Sequence, residues 1–492
     1  MTRGADAELM RTALQQAGGA IDGLRRGRQG APIWPPIIVT PTLTSPMTPL
    51  AELADDLNAG RVRSRDLIEA ALSAIEDPAG EGARTMLKIH AAKTRDEADA
   101  SDRLRTVGIV PSPIAGLPIS IKDLFDLAGD VTTAGSVLLK DAPPATEDAP
   151  AIGRLRRAGA IIIGRTNMTE FAYSGLGLNP HYGTPRNPWD RATGRIPGGS
   201  SSGAAISVTD GMAAAAIGTD TGGSVRIPSA LCGLTGFKPT ARRITRQGAY
   251  PLSHSLDSIG PLAPTVSCCA VLDGVLADQE SALTGPPPLA GLRLGVPQTL
   301  VQDDIEDYVA TAFAAALASL SRAGAHIKDV DFSELAEIPR INAHGGIYAE
   351  AYAVHRRQLE ASESHYDPRV ASRILRVKGL SAADYYDVLR AREDLIDRAN
   401  RVTAAFDAVL LPSTAMVAPA IADLETDEKL YAAMNILMLR NTFCFNFLDR
   451  CALSIPMHQP GDAPAGLMVV GETMGDGGLL SIGQAIEKAM KV

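Results

Sequence analysis

Residues 195–240 hold the densest run of side chains able to do chemistry in this 492-residue chain. Two glycine- and hydroxyl-rich loops lie there, Gly198-Gly199-Ser200-Ser201-Ser202-Gly203 and Gly218-Thr219-Asp220-Thr221-Gly222-Gly223-Ser224. Between them a stretch of small residues reads as a helix over about 204–216. Glycine around a turn lets successive backbone N–H groups point inward and form a nest for an anion. Such a nest can cradle a phosphate, or it can hold the oxyanion of a tetrahedral intermediate beside a nucleophile. No GxxxxGKS/T run and no GxGxxG after a strand is present, and neither loop holds a lysine, which weighs against phosphate. Ser224, directly after two glycines, stands where a nucleophile would. A lone Gly-Gly-Ser is usually a tight turn with a capping serine; two such loops, with serines 24 residues apart, fit that bland reading poorly.

A serine nucleophile needs a base. None of the eight histidines sits in a motif that suggests the role. The other solution is a lysine kept neutral by burial, because desolvation disfavours the ammonium form. Lys122 closes the apolar run Leu117-Pro-Ile-Ser-Ile-Lys122, which reads as a short buried strand, and Asp123-Leu124-Phe125-Asp126 follows. A lysine at a strand end is commonly a surface residue, so Lys122 alone is a weak signal.

Longer motifs carry more weight. GLPISIKDLFDLAG (116–129), TTAGS (132–136), GRTNMTEFAYSG (164–175), TPRNPWD (184–190), GFKPT (236–240), SLDSIGPLAPTV (255–266), FDAVLLPS (406–413) and ALSIP (452–456) occur in that order. With the glycine–serine loops they resemble the amidase signature family of serine hydrolases, over most of the chain from about residue 48. The resemblance implies hydrolysis of a linear amide C–N bond with no cofactor and no metal. It implies Ser224 as nucleophile, Ser200 as a bridging serine after a cis peptide bond, and Lys122 as the base. The oxyanion hole would be the backbone N–H groups of Thr221, Gly222, Gly223 and Ser224. By analogy Ala172, Tyr173 and Ser174 line the substrate pocket.

Supporting roles read from position are an Asp220–Arg226 ion pair bracing the nucleophile loop, and Ser201 either bonded to Lys122 or capping the next helix. His344 and Tyr348 are weighed as substrate contacts against plain core or surface roles. Three departures from the family pattern bear on the substrate. Ser202 replaces a loop glycine, the usual KDN is Lys122-Asp123-Leu124, and Asn446–Pro456 replaces N-x-T-G-x-P. That last segment is closer to allophanate and carboxybiuret hydrolases, which cleave small urea-like amides. Two other functions compete: the amidase subunit of a tRNA-dependent amidotransferase, and a non-catalytic binding protein on the same scaffold. Intact Lys122, Ser200 and Ser224 weigh against the second.

The elements that position these groups follow from periodicity. Leu50–Leu57, Ser64–Ile75 (Ser64 as N-cap) and Ile152–Ala158 read as helices, and 160–164 as a strand. Helices alternating with strands predict an α/β domain, a mostly parallel mixed sheet covered by helices, over residues 48–492. The stretch of about 300–450 reads as a helix-rich insertion, lid-like over 300–410. Residues 5–26 read as an amphipathic helix, broken at Gly30–Pro36, so that 1–47 form an appendage. Hydrophobic residues make up 45% and charged residues 21%, the balance of a globular chain, while aromatics at 4% leave a core closed by small side chains. The formal charge of −9 is spread along the chain and excludes a basic footprint for nucleic acid or an anionic membrane; Arg25-Arg26-Gly27-Arg28 is too short to provide one. Five cysteines without a CxxC, and no HExxH, point to a reducing compartment and no metal. No leader-like segment and no apolar run of membrane-spanning length occurs. The expectation is a cytoplasmic protein, and the family resemblance implies a homodimer acting on a small-molecule amide.

Overall fold

The structure, a computed structural model, describes residues 47–279, 285–343 and 346–490. The appendage expected at 1–47 therefore lies outside the described residues except for Met47. Among the described residues eleven strands form one sheet: β1 (Met86–Ile89), β2 (Pro118–Lys122), β3 (Ile161–Thr166), β4 (Ala215–Asp220), β5 (Thr235–Lys238), β6 (Ser258–Ala263), β7 (Arg293–Pro297), β8 (His326–Val330), β9 (Ala408–Pro412), β10 (Ala452–Pro456) and β11 (Gly466–Val470). Their order is β1-β3-β2-β4-β6-β5-β10-β11-β9-β7-β8. β2, β3, β4, β6 and β9 are buried along their whole length, which is why they read as apolar runs and not as alternating ones. One large α/β domain results.

The mixed sheet is as expected, but its parallel pairing is confined to two blocks. β2 runs parallel to β3 and β4, and β7 to β8 and β9. The other six pairings are antiparallel. An intervening helix does not oblige its two strands to be neighbours. β5 follows β4 through the helix Arg226–Cys232, yet β6 lies between them and runs antiparallel to both.

Three local readings need correction. The small-residue stretch is a helix only over Ser202–Thr209. Gly211 takes a left-handed φ of 71°, and Ala215–Ala216 then open β4. Alanine's helical preference is worth under about 1 kcal/mol per residue, and pairing with β2 on one side and β6 on the other overrides it. The helix Ser64–Glu76 takes Arg63 as its N-cap, while Ser64 Oγ donates to the Gly116 carbonyl at 2.7 Å. Residues 300–450 are helix-rich but also supply β8 and β9, so this stretch is woven into one end of the sheet and is not a simple insertion.

Candidate active site

Lys122 ends β2 beside the parallel strand β4, with Ile119, Ser120 and Ile121 opposite Ala215, Ala216 and Ile217. Open α/β sheets bind ligands beyond the carboxyl ends of such strands, and both glycine loops gather there. Lys122 is completely buried, and Nζ donates to Ser200 Oγ at 2.8 Å and Thr219 Oγ1 at 2.9 Å. Burial pushes its pKa down to about 7, against the attraction of Asp220 and Asp257. A hydroxyl-only coordination leaves the ammonium without a contacting counter-ion, so the amine and ammonium forms are balanced near neutral pH.

The Gly199–Ser200 peptide bond is cis. Gly199 N–H donates to the Gly175 carbonyl at 2.8 Å, and the Ser200 carbonyl accepts from Thr169 N–H at 3.1 Å. Ser201 N–H donates to the Ser224 carbonyl at 3.3 Å, which sets the two loops side by side. Ser200 is fully buried and Ser224 nearly so. Ser201 Oγ meets the Thr219 carbonyl at 3.4 Å; it neither bonds Lys122 nor caps the helix Ser202–Thr209.

The nucleophile loop is organised by Asp220. Its carboxylate accepts from the backbone N–H groups of Gly223 (2.8 Å), Val225 (3.1 Å) and Arg226 (3.3 Å) and from Asn446 Nδ2 (2.9 Å). Arg226, wholly buried, pairs with it through Nε at 3.0 Å and Nη2 at 2.9 Å. Burial alone would raise the Asp220 pKa, but Arg226, Lys238 and Asn446 together hold it well below the usual carboxylate range. Gly223 has a φ of 133°, and a Cβ there would come 2.2 Å from Thr442 Oγ1, so only glycine fits. This geometry corrects one assignment. Gly223 N–H is committed to Asp220 and is not free for an oxyanion. Among the described residues no protein acceptor takes the N–H groups of Thr221, Gly222 or Ser224.

A family model for amidases matches residues 66–480. The chain belongs to the amidase family. It is 36% identical over 445 residues to a 2-amino-5-chloromuconic acid deaminase of Comamonas testosteroni, covering 87% of this chain and 94% of that one. It is 35% identical over 391 residues to a 1-carboxybiuret hydrolase subunit of a Pseudomonas strain, covering 75% and 82%. The A subunit of a glutamyl-tRNA(Gln) amidotransferase from Nitratidesulfovibrio vulgaris is 33% identical over 487 residues, covering 90% and 96%. A crystal structure of an amidase superposes with a TM-score of 0.81 at 31% identity, covering 90% of this chain and 99% of that one. The protein is thus an amide-hydrolysing enzyme, with the α/β architecture of its family.

Two cavities lie near the loops of this amidase, and the smaller has loop residues in its wall. A smaller one of about 350 Å³ is lined by Thr219, Thr221, Ala172, Tyr250 and Asp257. A larger one of about 1140 Å³ is lined by Tyr173, Tyr348, Asn435 and Phe443 among others. Ala172, Tyr173 and Ser174 therefore do not share one pocket. Ala172 faces the smaller cavity and Tyr173 the larger. Ser174 faces neither: its Oγ donates to Asn435 Oδ1 at 2.9 Å and accepts from Tyr431 Oη at 2.8 Å. The backbone explains the split, since Phe171 and Ala172 both adopt left-handed conformations, at φ 49° and 61°, and turn successive side chains apart. His344 lies outside the described residues.

Sequence reasoning missed four residues that organise the site. Thr219 is the second partner of Lys122. Asp257 accepts from Thr221 Oγ1 at 2.5 Å and from Leu252 and Ser253 N–H, and burial raises its pKa. Thr442 Oγ1 donates to the Gly222 carbonyl at 2.6 Å, and Asn446 braces Asp220. Thr219 and Asp257 lie inside motifs that were recognised, but nothing in the spacing pairs them with Lys122 or Thr221. Among the described residues no group of three or more His, Cys, Asp or Glu side chains could hold a metal, and no helix is long and apolar enough to cross a membrane.

Proposed function

We propose that this amidase cleaves a linear amide to a carboxylate and ammonia or an amine through an acyl-enzyme on Ser224, with Lys122 as the base acting through Ser200. The observation that carries the reading is the buried Lys122–Ser200 contact with no carboxylate in touch, which keeps a substantial share of the amine neutral at pH 7. As Ser224 Oγ bonds to the amide carbon, its proton passes to Ser200 Oγ, whose own proton passes to Lys122 Nζ. The oxyanion is taken by the N–H groups of Thr221, Gly222 and Ser224, each worth about 3–4 kcal/mol to the transition state. The C–N bond breaks as the relay returns the proton to the leaving nitrogen, and water then attacks the acyl carbon by the same route. Asp220, Arg226 and Ser201 are positioning residues of the two loops.

The test is ammonia or amine release from aliphatic, aromatic and urea-type amides. Activity should fall by at least a thousandfold in Ser224→Ala and in Lys122→Met, with folding intact; activity surviving Ser224→Ala overturns the nucleophile. The names of two relatives, built on 2-amino-5-chloromuconic acid and 1-carboxybiuret, support a small polar substrate. A second reading, the A subunit of an amidotransferase, has the near full-length match to such subunits in its favour; glutaminase activity that depends on tRNA and a copurifying partner would establish it. We also read residues 1–47 as an appendage to the amidase domain. Five cysteines, all buried and unbridged, support a reducing, cytoplasmic setting, and the resemblance to the family supports a homodimer, which light scattering would check.

A further inference from the structure

The larger cavity carries more positive charge than its own carboxylates balance. Arg369, Arg373, Arg376 and Arg440 line it, against Asp384 and Glu428. Arg369 is committed to Asp367, with Nη2 and Oδ2 2.9 Å apart, and lies over the Tyr431 ring. Asp384 is engaged in capping the helix Ala382–Thr403, accepting from Ser381 N–H at 2.9 Å and Ser381 Oγ at 2.7 Å. Among the described residues no carboxylate comes within ion-pair distance of Arg373, Arg376 or Arg440.

Two of these three are held in fixed poses. Arg373 stacks over the Tyr173 ring, 4.5 Å from its centroid, and its Nη1 donates to the Tyr173 carbonyl. Arg440 projects from the helix Glu428–Phe447; its Nε donates to Asn441 Oδ1 at 3.0 Å, and its Nη2 is buried with no partner. Buried donors in folded proteins are nearly always satisfied, and an unpartnered guanidinium nitrogen calls for an explanation. Asp303 and Asp304 act on the Arg440 guanidinium only from beyond ion-pair contact, and a bidentate anion in the cavity would offset its desolvation more fully. Arg376 is exposed at the rim.

The wall of the cavity also packs against the loops of the proposed chemistry. A Cβ placed on Gly222 would come 3.4 Å from Phe443 and 3.5 Å from Leu439, both of which line the cavity. Asn435, on the same wall, accepts from Gly175 N–H at 2.9 Å, and the Gly175 carbonyl holds Gly199 next to Ser200. A molecule filling the cavity therefore ends against Leu439 and Phe443, whose side chains pack on the nucleophile loop at Gly222.

We propose that the substrate is an anionic amide: one end presents the scissile bond to Ser224, and a carboxylate at the other end is gripped by Arg373 and Arg440, with Arg376 drawing it in from solvent. The inference rests on the reading of Ser224 as nucleophile for where the scissile bond lies. Guanidinium groups match a carboxylate with two parallel donors, whereas an uncharged chain end would leave Arg373 and Arg440 with no anion in contact.

The experiment compares the half-amides of succinic, glutaric and adipic acids with butyramide, valeramide and hexanamide, in which a methyl group replaces the carboxylate. For at least one pair kcat/KM should be tenfold or more higher for the half-amide. That ratio should fall at least tenfold in Arg440→Met and in Arg373→Met, through KM, and Arg440→Lys should recover part of it. Added NaCl should raise KM for the half-amide and leave the neutral amide unaffected, a readout that needs no variant to fold. A ratio near one in the wild type, or one unchanged in both Met variants, overturns the proposal. Hydrolysis persisting in Ser224→Ala would remove the nucleophile and leave this ratio as the judge of the carboxylate site. If none of the six amides is turned over, calorimetry with the half-amides decides: no binding to Ser224→Ala, or equal binding with and without Arg440→Met, overturns it.

Discussion

At the scale of single residues the proposed chemistry turns on one proton. Lys122 has its pKa brought from 10.5 down to about 7 by burial. If it is the base, kcat/KM rises with pH through a midpoint near 7 and levels off above it; a rate independent of pH between 6 and 8 would contradict that role. The same group has a stability signature. Between about pH 7 and 10.5 the unfolded chain binds more protons at this site than the folded one, so stability rises with pH across that window. The cost of burying Lys122 is therefore full below pH 7 and relieved above it. Urea titrations should show the wild type gaining on Lys122→Met as pH goes from 6 to 9, a comparison in which other titrating groups cancel. His181 shows the opposite sign. Its hydrogen bond to the buried Glu170 raises its pKa above 6.5, so its contribution is present below the unfolded value and lost as pH climbs through the folded one. The stability difference between wild type and His181→Gln should shrink from pH 5.5 to 8.5.

At the scale of elements the nucleophile loop is a turn held at three points. Asp220 takes its N–H groups, Arg226 and Asn446 fix Asp220, and Thr442 fixes the Gly222 carbonyl from the helix Glu428–Phe447. Breaking a buried ion pair by removing one partner costs about 3–5 kcal/mol, because the remaining charge stays uncompensated. Arg226→Met should lower stability by that order in chemical denaturation, and it should lower kcat as well, since Asp220 then no longer holds the Gly223 amide in place. Gly223→Ala meets both a positive φ and the Thr442 hydroxyl. It should lose activity at least a hundredfold, with a loss of stability of about 2 kcal/mol or more. A variant that keeps near wild-type kcat would show that the loop can relax around a methyl group.

At the scale of the whole molecule the sheet brings together chain segments hundreds of residues apart. Glu170, wholly buried, accepts from Ser136 Oγ at 2.7 Å and from Asp367 N–H at 2.6 Å. It thereby ties the start of the helix Pro368–Leu375, which carries Arg369 and Arg373, to the β3 side of the site. Glu170→Gln weakens that tie without changing the volume filled. Its effect should fall on KM more than on kcat, because the arginine helix is displaced while Lys122, Ser200 and Ser224 are untouched. A pure kcat effect would instead place Glu170 in the proton relay.

Much was legible before any coordinates. The family, the α/β class and the candidate residues Lys122, Ser200 and Ser224 follow from ordered motifs, because a glycine nest, a hydroxyl beside it and an apolar strand ending in lysine are local features of the chain. What local pattern does not contain is how donors are shared and which groups lose their water. Gly223 is indistinguishable from Gly222 in sequence, yet its N–H belongs to Asp220. Ala172, Tyr173 and Ser174 are consecutive, yet they face two cavities and a buried network. Ala215 and Ala216 favour a helix, yet strands on both sides make them a strand. The larger cavity joins Tyr173, Arg373 and Arg440, which no spacing connects. Side-chain identity and backbone freedom are written residue by residue; desolvation, hydrogen-bond allocation and the charge of a cavity depend on what lies packed alongside, and tertiary structure alone decided them.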